Sequence, residues 1–453
     1  MFDVNPIRGC PGAPLELEAA GRPAAHLRTV LAERLRLDPL PFRERVLASG
    51  LRAITLEDHR SATASVNVAY RVGGKDDPPG RSGFAHLFEH LMFKGTKRTG
   101  AETIDRLTED VGGFNNAFTT EDYTNYFEVV PSNYLETILW AEADRLSGLV
   151  VDEENFETER DVVIGEYDQR VLAEPYGMLG EIVTREAYAV HPYRLGVIGD
   201  PENLRAATLA DVQAFHATYY RPDNATLIVV GDFESARVDE WIDRYFGGIA
   251  HPASPIPRVE VTEPPQGAER RLRYRSTNAP LPALSFSWHI GSASDANLPA
   301  LDLIETVLGT GKSSRLYRSL VYRHQVATSA WAGADWNEQP GLFTIRAVAA
   351  AGAEPERIEA LIDEEIEAIC SRPIDAGELD KAKVQLYAMT VRGLATYNDI
   401  AQTIGRSVMV RGSARLLDDD MARYAAVGPE ELREIANRTF RRENRSVVEY
   451  LPA

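Results

Sequence analysis

The chain has 453 residues, of which 44% are hydrophobic and 26% are charged, a balance typical of a globular protein. At about 100–200 residues per domain, this length predicts two to four domains. Asp and Glu number 68 against 49 Lys and Arg, so the net charge is -19. Such an acidic chain repels phosphate backbones, which argues against nucleic acid as a partner. The charge fits either general solubility or a preference for basic substrates.

The cysteine positions and the lengths of the apolar runs indicate the cellular compartment and whether the chain spans a membrane. Cys10 and Cys370 lie too far apart in the sequence to indicate a cysteine-rich zinc site or a disulfide framework. The sequence has no apolar run of about 18 residues, as a transmembrane helix needs, and no signal-peptide pattern at its start. We therefore expect a cytoplasmic protein with no membrane partner. A periplasmic location would require a signal peptide that has been removed.

The first elements in chain order are an extension and a strand region. Residues 1–44 are rich in Pro, Gly, Ala, Leu and Arg without strand alternation, which predicts an N-terminal extension with one helix over residues 24–37. Alternation of apolar and polar residues predicts paired strands within residues 45–72. Ser82 is the expected N-cap of the next helix, which is predicted to stop at Gly95.

Strands and helices then alternate irregularly up to a proline-rich segment. The predicted elements are a helix over 102–111, two strands within 114–130, helices over 131–149, 153–172 and 207–219, a strand over 225–230 and a helix over 235–246. Prolines at five positions stiffen residues 251–268, which predicts an extended linker. The expected domains are therefore 45–250, which would bind the metal, and 269–453.

Two short patterns recur at nearly the same offset after the linker. The first pattern, Val68-x-Tyr70-x-Val72-Gly73, recurs after 218 residues as Phe286-x-Trp288-x-Ile290-Gly291. The second pattern, Tyr220-Arg221…Asn224, recurs after 220 residues as Phe440-Arg441…Asn444. This agreement predicts a duplicated domain, against the alternative of chance similarity between two unrelated α+β domains. We expect an α+β fold of two similar domains, each a mainly antiparallel sheet with helices packed on one face.

A predicted helix carries a candidate metal site, His86-Leu87-Phe88-Glu89-His90. Residues four apart lie on one helix face, so His86 and His90 can present two imidazole nitrogens to one ion. Two imidazoles favour Zn²⁺, although Mn²⁺ or Co²⁺ would also fit. Glu89 borders the same face, and the order of residues is that of an inverted His-Glu-x-x-His motif. The alternative is a chance pattern on an exposed helix.

A catalytic zinc needs a third protein ligand. Glu159 and Glu166 are seven residues apart in one predicted helix, so their side chains share a face. One can bind the metal while the other orients a histidine. From the residues alone, the alternative is that both carboxylates face solvent and bind no metal.

These motifs together resemble the pitrilysin-type M16 zinc peptidases. The likeness rests on HLFEH, on the two spaced glutamates, and on Gly112–Tyr126, which is similar to the family's Gly-Gly-x-x-Asn-Ala-x-Thr strand region. His191-Pro192-Tyr193 and Tyr220–Asn224 also match segments typical of the family. The likeness runs from about residue 45 to the C-terminus.

The resemblance implies a zinc-dependent endopeptidase that hydrolyses oligopeptides or small unfolded proteins. It implies one Zn²⁺ per chain, held by His86, His90 and Glu166, with Glu89 as general base and Glu159 as orienting residue. The peptide would be held as an added β-strand at a receiving edge. That edge would be formed by Asn116, Ala117, Phe118 and Thr119. The alternative for this segment is an ordinary core strand.

The second half departs from the family pattern in two ways. The residues equivalent to the zinc motif are Ile304, Val307 and Leu308, which cannot bind metal. Many self-sufficient members also carry Arg and Tyr where this chain has Val321 and Thr328.

Because the Arg/Tyr pair is missing, we expect that two different subunits supply the residues of the complete active site. We expect a heterodimer in which a homologous companion lacks the zinc motif and carries the Arg/Tyr pair, against a homodimer or monomer. Two functional alternatives stay open. One is a structural subunit with weak or no activity, as in processing peptidases or respiratory-complex cores. The other is a peptide-binding module with structural zinc.

Overall fold

A computed structural model of the chain describes residues 37–453. The predicted helix over residues 24–37 and most of the predicted extension lie outside the described residues. The described part contains two β-sheets, one of six strands built from the first half and one of five strands built from the second half. The expectation of an α+β fold with two similar halves is confirmed.

The first half contains six strands and eight α-helices among the described residues. They are β1 (Arg43–Val46), β2 (Arg52–Glu57), β3 (Thr63–Tyr70), α1 (Phe84–Leu91), α2 (Thr103–Glu109), β4 (Phe114–Thr119), β5 (Thr124–Pro131), α3 (Leu135–Gly148), α4 (Glu153–Tyr167), α5 (Leu179–Ala187), α6 (Pro201–Arg205), α7 (Leu209–Tyr219), β6 (Ala225–Gly231) and α8 (Ser235–Phe246). The sheet order is β1-β2-β6-β3-β5-β4, which leaves β4 at an edge. All neighbours are antiparallel except β2 and β6.

The second half repeats this plan with five strands. Its elements are β7 (Arg270–Ser276), β8 (Ala283–His289), α9 (Leu298–Gly309), β9 (Ala327–Ala334), β10 (Leu342–Ala349), α10 (Pro355–Ser371), α11 (Ala376–Arg392), α12 (Tyr397–Arg411), α13 (Leu416–Ala426), α14 (Pro429–Thr439) and β11 (Arg445–Pro452). The sheet order is β7-β11-β8-β10-β9, and only β7 and β11 are parallel. Each sheet is therefore mainly antiparallel with one parallel pair, as the two halves' similarity requires.

One helix of each half packs on the sheet of the other half. Helix α12 packs on β3 and β6, where the Tyr397 hydroxyl accepts a hydrogen bond from the Ser61 amide at 2.9 Å. Helix α5 packs on the second sheet through Leu179 and Ile182, which join the core around Tyr450. Both faces of each sheet are thus covered, which explains why nearly every residue of β3 and β6 is buried. The expectation of helices on one face holds only within each half.

The segment after α8 forms neither helix nor strand over residues 250–268. It runs along the first half, where the Arg258 guanidinium donates to the Arg71 carbonyl at 2.8 Å and to Asn224 Oδ1 at 2.6 Å. The domain limits 45–250, 251–268 and 269–453 stay predictions.

A buried ion-pair network joins the two halves beside the β4–β5 turn. Lys75 Nζ lies 2.6 Å from Asp122 Oδ1 and 2.5 Å from Glu338 Oε2, and Glu338 belongs to the β9–β10 loop of the second half. The Glu338 amide donates to Asp122 Oδ2 at 2.7 Å. Lys75 is 5% exposed, so breaking one member would leave a buried charge unpaired. This network fixes the second half against the turn that follows β4.

Candidate active site

Two helices and one strand of the first half surround a cleft of about 530 Å³. Helix α1 contributes His86, Glu89 and His90, and helix α4 contributes Glu159 and Glu166. The edge strand β4 forms another wall of the cleft. The structure therefore brings the predicted metal-binding, base, orienting and peptide-receiving residues together at one cleft, whereas residues 191–193 and 220–224 are not among its lining residues.

Helix α1 starts differently from the sequence expectation. The predicted cap, Ser82, instead accepts hydrogen bonds from the Asp200 amide and from Asn203 Nδ2. The helix begins after Gly83, and Asp77 accepts the amides of Gly83 and Ala85 at 2.6 and 2.9 Å. Ser82 loses the capping role because the Asp77 carboxylate, from the preceding loop, already satisfies the first amides.

Gly83 is required at this helix start. Its φ is +96°, in the left-handed region, and a Cβ there would lie 2.5 Å from the Ile198 carbonyl oxygen. The loop that ends at Gly199 therefore contacts the start of α1 directly. This contact places the zinc-motif helix against the segment that lines the far side of the cleft.

The two histidines face one carboxylate of α4. Glu166 Oε2 lies 3.3 Å from His90 Nε2 and 3.8 Å from His86 Nε2. The donor atoms of these three residues all lie within 4.8 Å of one another. Two imidazole nitrogens and one carboxylate oxygen are the donor set of a catalytic zinc site that keeps a position open. His86 Nδ1 is also buried without a hydrogen-bond partner among the described residues. The arrangement fits a zinc ion.

The protonation states of the histidines depend on their surroundings. Burial, and then the charges of His90 and Arg170, lower the pKa of His86 to about 3, so this imidazole is neutral and able to bind a metal. Burial also acts to lower the pKa of His90. The hydrogen bond with Glu159 and the charges of Glu166 and Glu89 outweigh burial, so the pKa of His90 is raised.

Glu159 links the site to a lysine. Its Oε2 lies 3.3 Å from His90 Nδ1, and its Oε1 lies 2.7 Å from Lys94 Nζ. Burial raises the pKa of Glu159, but the hydrogen bonds from His90 and Lys94 lower it overall. Because Glu159 holds the ring nitrogen that faces away from Glu166, its position is that of an orienting carboxylate.

Glu89 is held by the strand at the sheet edge. The Thr119 hydroxyl donates to Glu89 Oε2 at 2.6 Å. Burial raises the pKa of Glu89, while this hydrogen bond acts in the opposite direction. A partly buried carboxylate beside a metal-binding set has the properties of a general base.

The sequence motifs did not indicate two charged side chains of the site and one contact. The side chains are Lys94 and Arg170, whose Nη1 lies 2.8 Å from Glu166 Oε1, and the contact is the hydrogen bond from the Thr119 hydroxyl to Glu89. Lys94 follows His90 by four residues and Arg170 follows Glu166 by four, so helical spacing was an available signal for both. No local signal connects Thr119 to Glu89, because one lies on a strand and the other on a helix.

The predicted peptide-receiving segment lies at the sheet edge. Strand β4 pairs only with β5 among the described strands, which leaves its other side available for a further strand. The Ala117 amide donates to Asn116 Oδ1 at 2.8 Å. Asn116, Ala117, Phe118 and Thr119 all line the cleft. Substrate binding by these residues stays a prediction.

The second half carries no equivalent of this site. Ile304, Val307 and Leu308 are buried in its core. Val321 is half-buried, and the Thr328 hydroxyl donates to the Val348 carbonyl at 3.2 Å. Within residues 37–453, one other group has metal-binding spacing, Glu57, His59 and Glu234, and all three are exposed. An exposed acidic cluster around His59 forms ordinary ion pairs, so α1 and α4 remain the best-supported metal site.

Family models match both halves of the chain. The model described as insulinase (peptidase family M16) matches residues 52–200, and the model described as peptidase M16 inactive domain matches residues 206–386. The chain belongs to peptidase family M16. The M16 resemblance stated from the sequence motifs is confirmed. The inactive-domain match falls mainly on the half in which the zinc motif is replaced by buried apolar residues.

Individual M16 relatives extend over most of the chain. It is 29% identical to the zinc protease PqqE of Helicobacter pylori over 405 residues, which cover 89% of this chain and 91% of that protein. It is 25% identical to a probable mitochondrial-processing peptidase subunit beta of Arabidopsis thaliana over 427 residues, covering 92% and 78%. A crystal structure of a protease from Helicobacter pylori superposes with a TM-score of 0.89 at 28% identity, covering 92% of this chain and all of that one.

None of the helices within residues 37–453 is both long and apolar enough to cross a membrane.

Replacing Thr119 by Val tests whether its hydroxyl positions Glu89. We expect kcat for peptide hydrolysis to fall about 10-fold to 100-fold, because Glu89 loses the hydrogen bond that fixes its carboxylate. Thr119→Ser keeps the hydroxyl and is the matched control. Zinc content and kcat are measured for both variants beside the wild type. Equal kcat values for Thr119→Val and Thr119→Ser would show that Glu89 is positioned by something else.

Proposed function

We propose that this protein is a zinc-dependent endopeptidase that hydrolyses oligopeptides or small unfolded proteins. The observation that carries the proposal is the convergence of His86, His90 and Glu166 beside the carboxylate of Glu89, at a cleft bordered by a sheet edge. The names of the M16 relatives that are called zinc proteases support it. Chelator removal of zinc, followed by an assay with a quenched peptide, is the direct test.

The residues of the site have distinct proposed roles. His86, His90 and Glu166 would hold Zn²⁺, which when bound supplies a Lewis acid that acidifies water and polarises the scissile carbonyl. Glu89 takes a proton from the attacking water and returns it to the leaving amine. Glu159 accepts a hydrogen bond from the Nδ1–H group of His90 and so keeps Nε2 directed towards Glu166.

The edge strand accounts for broad peptide specificity. A peptide that adds to β4 would pair through its backbone, which gives affinity without requiring one side-chain sequence. The Ala117 amide, now bonded to the Asn116 side chain, would be released to that peptide when Asn116 turns away. Strand addition at β4 places the peptide backbone beside Glu89, because Thr119 at the end of β4 already contacts that carboxylate.

A companion subunit completes the proposed enzyme. The chain holds a full set of zinc-binding and base residues but has Val321 and Thr328 where an Arg/Tyr pair is expected. Tyr322, the adjacent tyrosine, is 79% exposed, and Arg323 is exposed beside it. We propose that a homologous chain without the zinc motif supplies these contacts in a heterodimer.

A structural subunit with weak or no activity is the second candidate function. The missing Arg/Tyr pair favours it, and one relative is named a probable mitochondrial-processing peptidase subunit. The complete set of His86, His90, Glu166 and Glu89 favours a catalytic role, because a purely structural subunit would not need the partly buried carboxylate of Glu89.

The general base is tested by Glu89→Gln. We expect this variant to keep zinc but to lose hydrolysis by about 10²–10⁴-fold, because Gln cannot accept the proton of water. Glu109→Gln, an exposed change on α2, is the matched control and is expected to hydrolyse peptide at the wild-type rate. Near-native turnover by a zinc-loaded Glu89→Gln protein would contradict the assignment.

The zinc content of single-residue variants distinguishes the roles of the two glutamates of α4. We expect Glu166→Gln to lose zinc, whereas Glu159→Gln should lower metal affinity or activity by about 10–100-fold, as changes to orienting residues do. Glu157→Gln, exposed on the same helix, is the control. Metal analysis with the reverse order would mean that Glu159 is the ligand and Glu166 the orienting residue.

The heterodimer is tested with the purified chain alone. We expect one zinc per chain but activity about 10²–10³-fold below that of the pair, the usual cost of losing one contact to the reacting carbonyl. Adding a homologous chain that carries the Arg/Tyr pair should restore hydrolysis. Full activity of the zinc-loaded chain alone, unchanged by the added companion, would defeat this part of the proposal.

A further inference from the structure

A second cavity of about 540 Å³ lies where the two halves and the segment between them meet. We call it the seam cavity, and it is lined by Arg52, Arg71, Arg258, Arg411, Asp223 and Glu338 among others. Arg71 follows strand β3 in the first half, Arg258 belongs to the segment after α8, and Glu338 lies in the β9–β10 loop. The seam cavity thus differs from the peptidase cleft in its position and in its lining residues.

Three of the four guanidinium groups in the seam cavity have carboxylate partners. Arg52 pairs with Glu44 at 2.6 Å, and Arg411 pairs with Asp420 at 2.6 Å. Arg71 pairs with Glu338. That carboxylate is shared, because its other oxygen lies 2.5 Å from Lys75 Nζ. Arg71 therefore shares the negative charge of Glu338 with Lys75.

Arg258 is the exception in the seam cavity. Its guanidinium donates only to neutral acceptors, the Arg71 carbonyl and Asn224 Oδ1. No carboxylate oxygen of residues 37–453 lies within ion-pairing distance of it. A guanidinium has five N–H donors, so three of them have no acceptor in the described part of the chain.

The neighbouring acids do not neutralise Arg258. The Asp223 carboxylate is held by two hydrogen bonds from Arg221, at 2.6 and 2.7 Å. Burial raises the pKa of Asp76 to about 6, and neither of its carboxylate oxygens lies within ion-pairing distance of Arg258. Burial, and then the like charge of Arg71, lower the pKa of Arg258. Arg258 thus lacks a direct carboxylate partner, although the charges of Asp76 and Asp223 act on it at longer range.

We propose that Arg71 and Arg258 form a binding site for a phosphate group in the seam cavity. Guanidinium groups bind tetrahedral oxyanions through paired N–H donors, and an anion between two like charges relieves their repulsion. Arg258 lines the same cavity as Arg71, whose side chain is half-exposed. The site takes inorganic phosphate or a phosphate monoester and connects the segment after α8 with the first half.

Isothermal titration of the zinc-loaded full chain with inorganic phosphate tests the proposal, with ionic strength held constant by sodium chloride. We expect saturable binding by the wild type and about 10–100-fold weaker binding by Arg258→Gln, which loses charge-assisted hydrogen bonds. Arg438→Gln removes an exposed charge outside the seam cavity and is expected to bind as the wild type does. A parallel titration with glycerol phosphate distinguishes the sources, since tighter binding of the monoester identifies an esterified phosphate.

Arg258→Lys serves as a second variant if Arg258→Gln does not fold. It keeps the charge but loses the planar fork, so binding between that of wild type and that of a neutral variant is expected. Absence of saturable phosphate binding by the folded wild type would overturn the proposal. Equal affinities for wild type, Arg258→Gln or Arg258→Lys, and Arg438→Gln would overturn it as well, by placing any bound phosphate elsewhere. These titrations do not depend on peptide hydrolysis, so their outcome is independent of the proposed function.

Discussion

Two imidazoles and two carboxylates lie close together where α1 packs against α4, and this contact is the constraint on which the rest of the site depends. Buried ionisable groups are unfavourable unless they are paired or bind a metal. Glu159, which is itself paired with Lys94, holds His90 Nδ1, and Glu166 faces both Nε2 atoms. A bound cation at the Glu166 side would relieve the crowding of polar groups and account for their burial.

The architecture around this contact holds the site between two halves. Helices α5 and α12 each cover the sheet of the opposite half, so neither sheet completes its core alone. The network of Lys75, Asp122 and Glu338 then fixes the second half at the β4–β5 turn. Since Thr119 at the end of β4 contacts Glu89, the packing of the two halves bears directly on the position of the proposed base.

Local sequence patterns predicted the parts of the protein that depend on short-range geometry. The four-residue spacing of His86 and His90 predicted their shared helix face, and the nearly equal offsets of two patterns predicted the duplication. The exchange of α5 and α12 depends on packing between residues distant in sequence, so no periodicity within either helix indicated it. The helix start at Gly83 was missed for a related reason, because Asp77 reaches the first amides from a separate loop.

Anomalous X-ray scattering at the zinc edge, from crystals of the zinc-loaded protein, shows whether α1 and α4 together hold one zinc ion. We expect one strong peak within bonding distance of His86 Nε2, His90 Nε2 and a carboxylate oxygen of Glu166. A peak at the exposed group of Glu57, His59 and Glu234, with none beside α1, would contradict it.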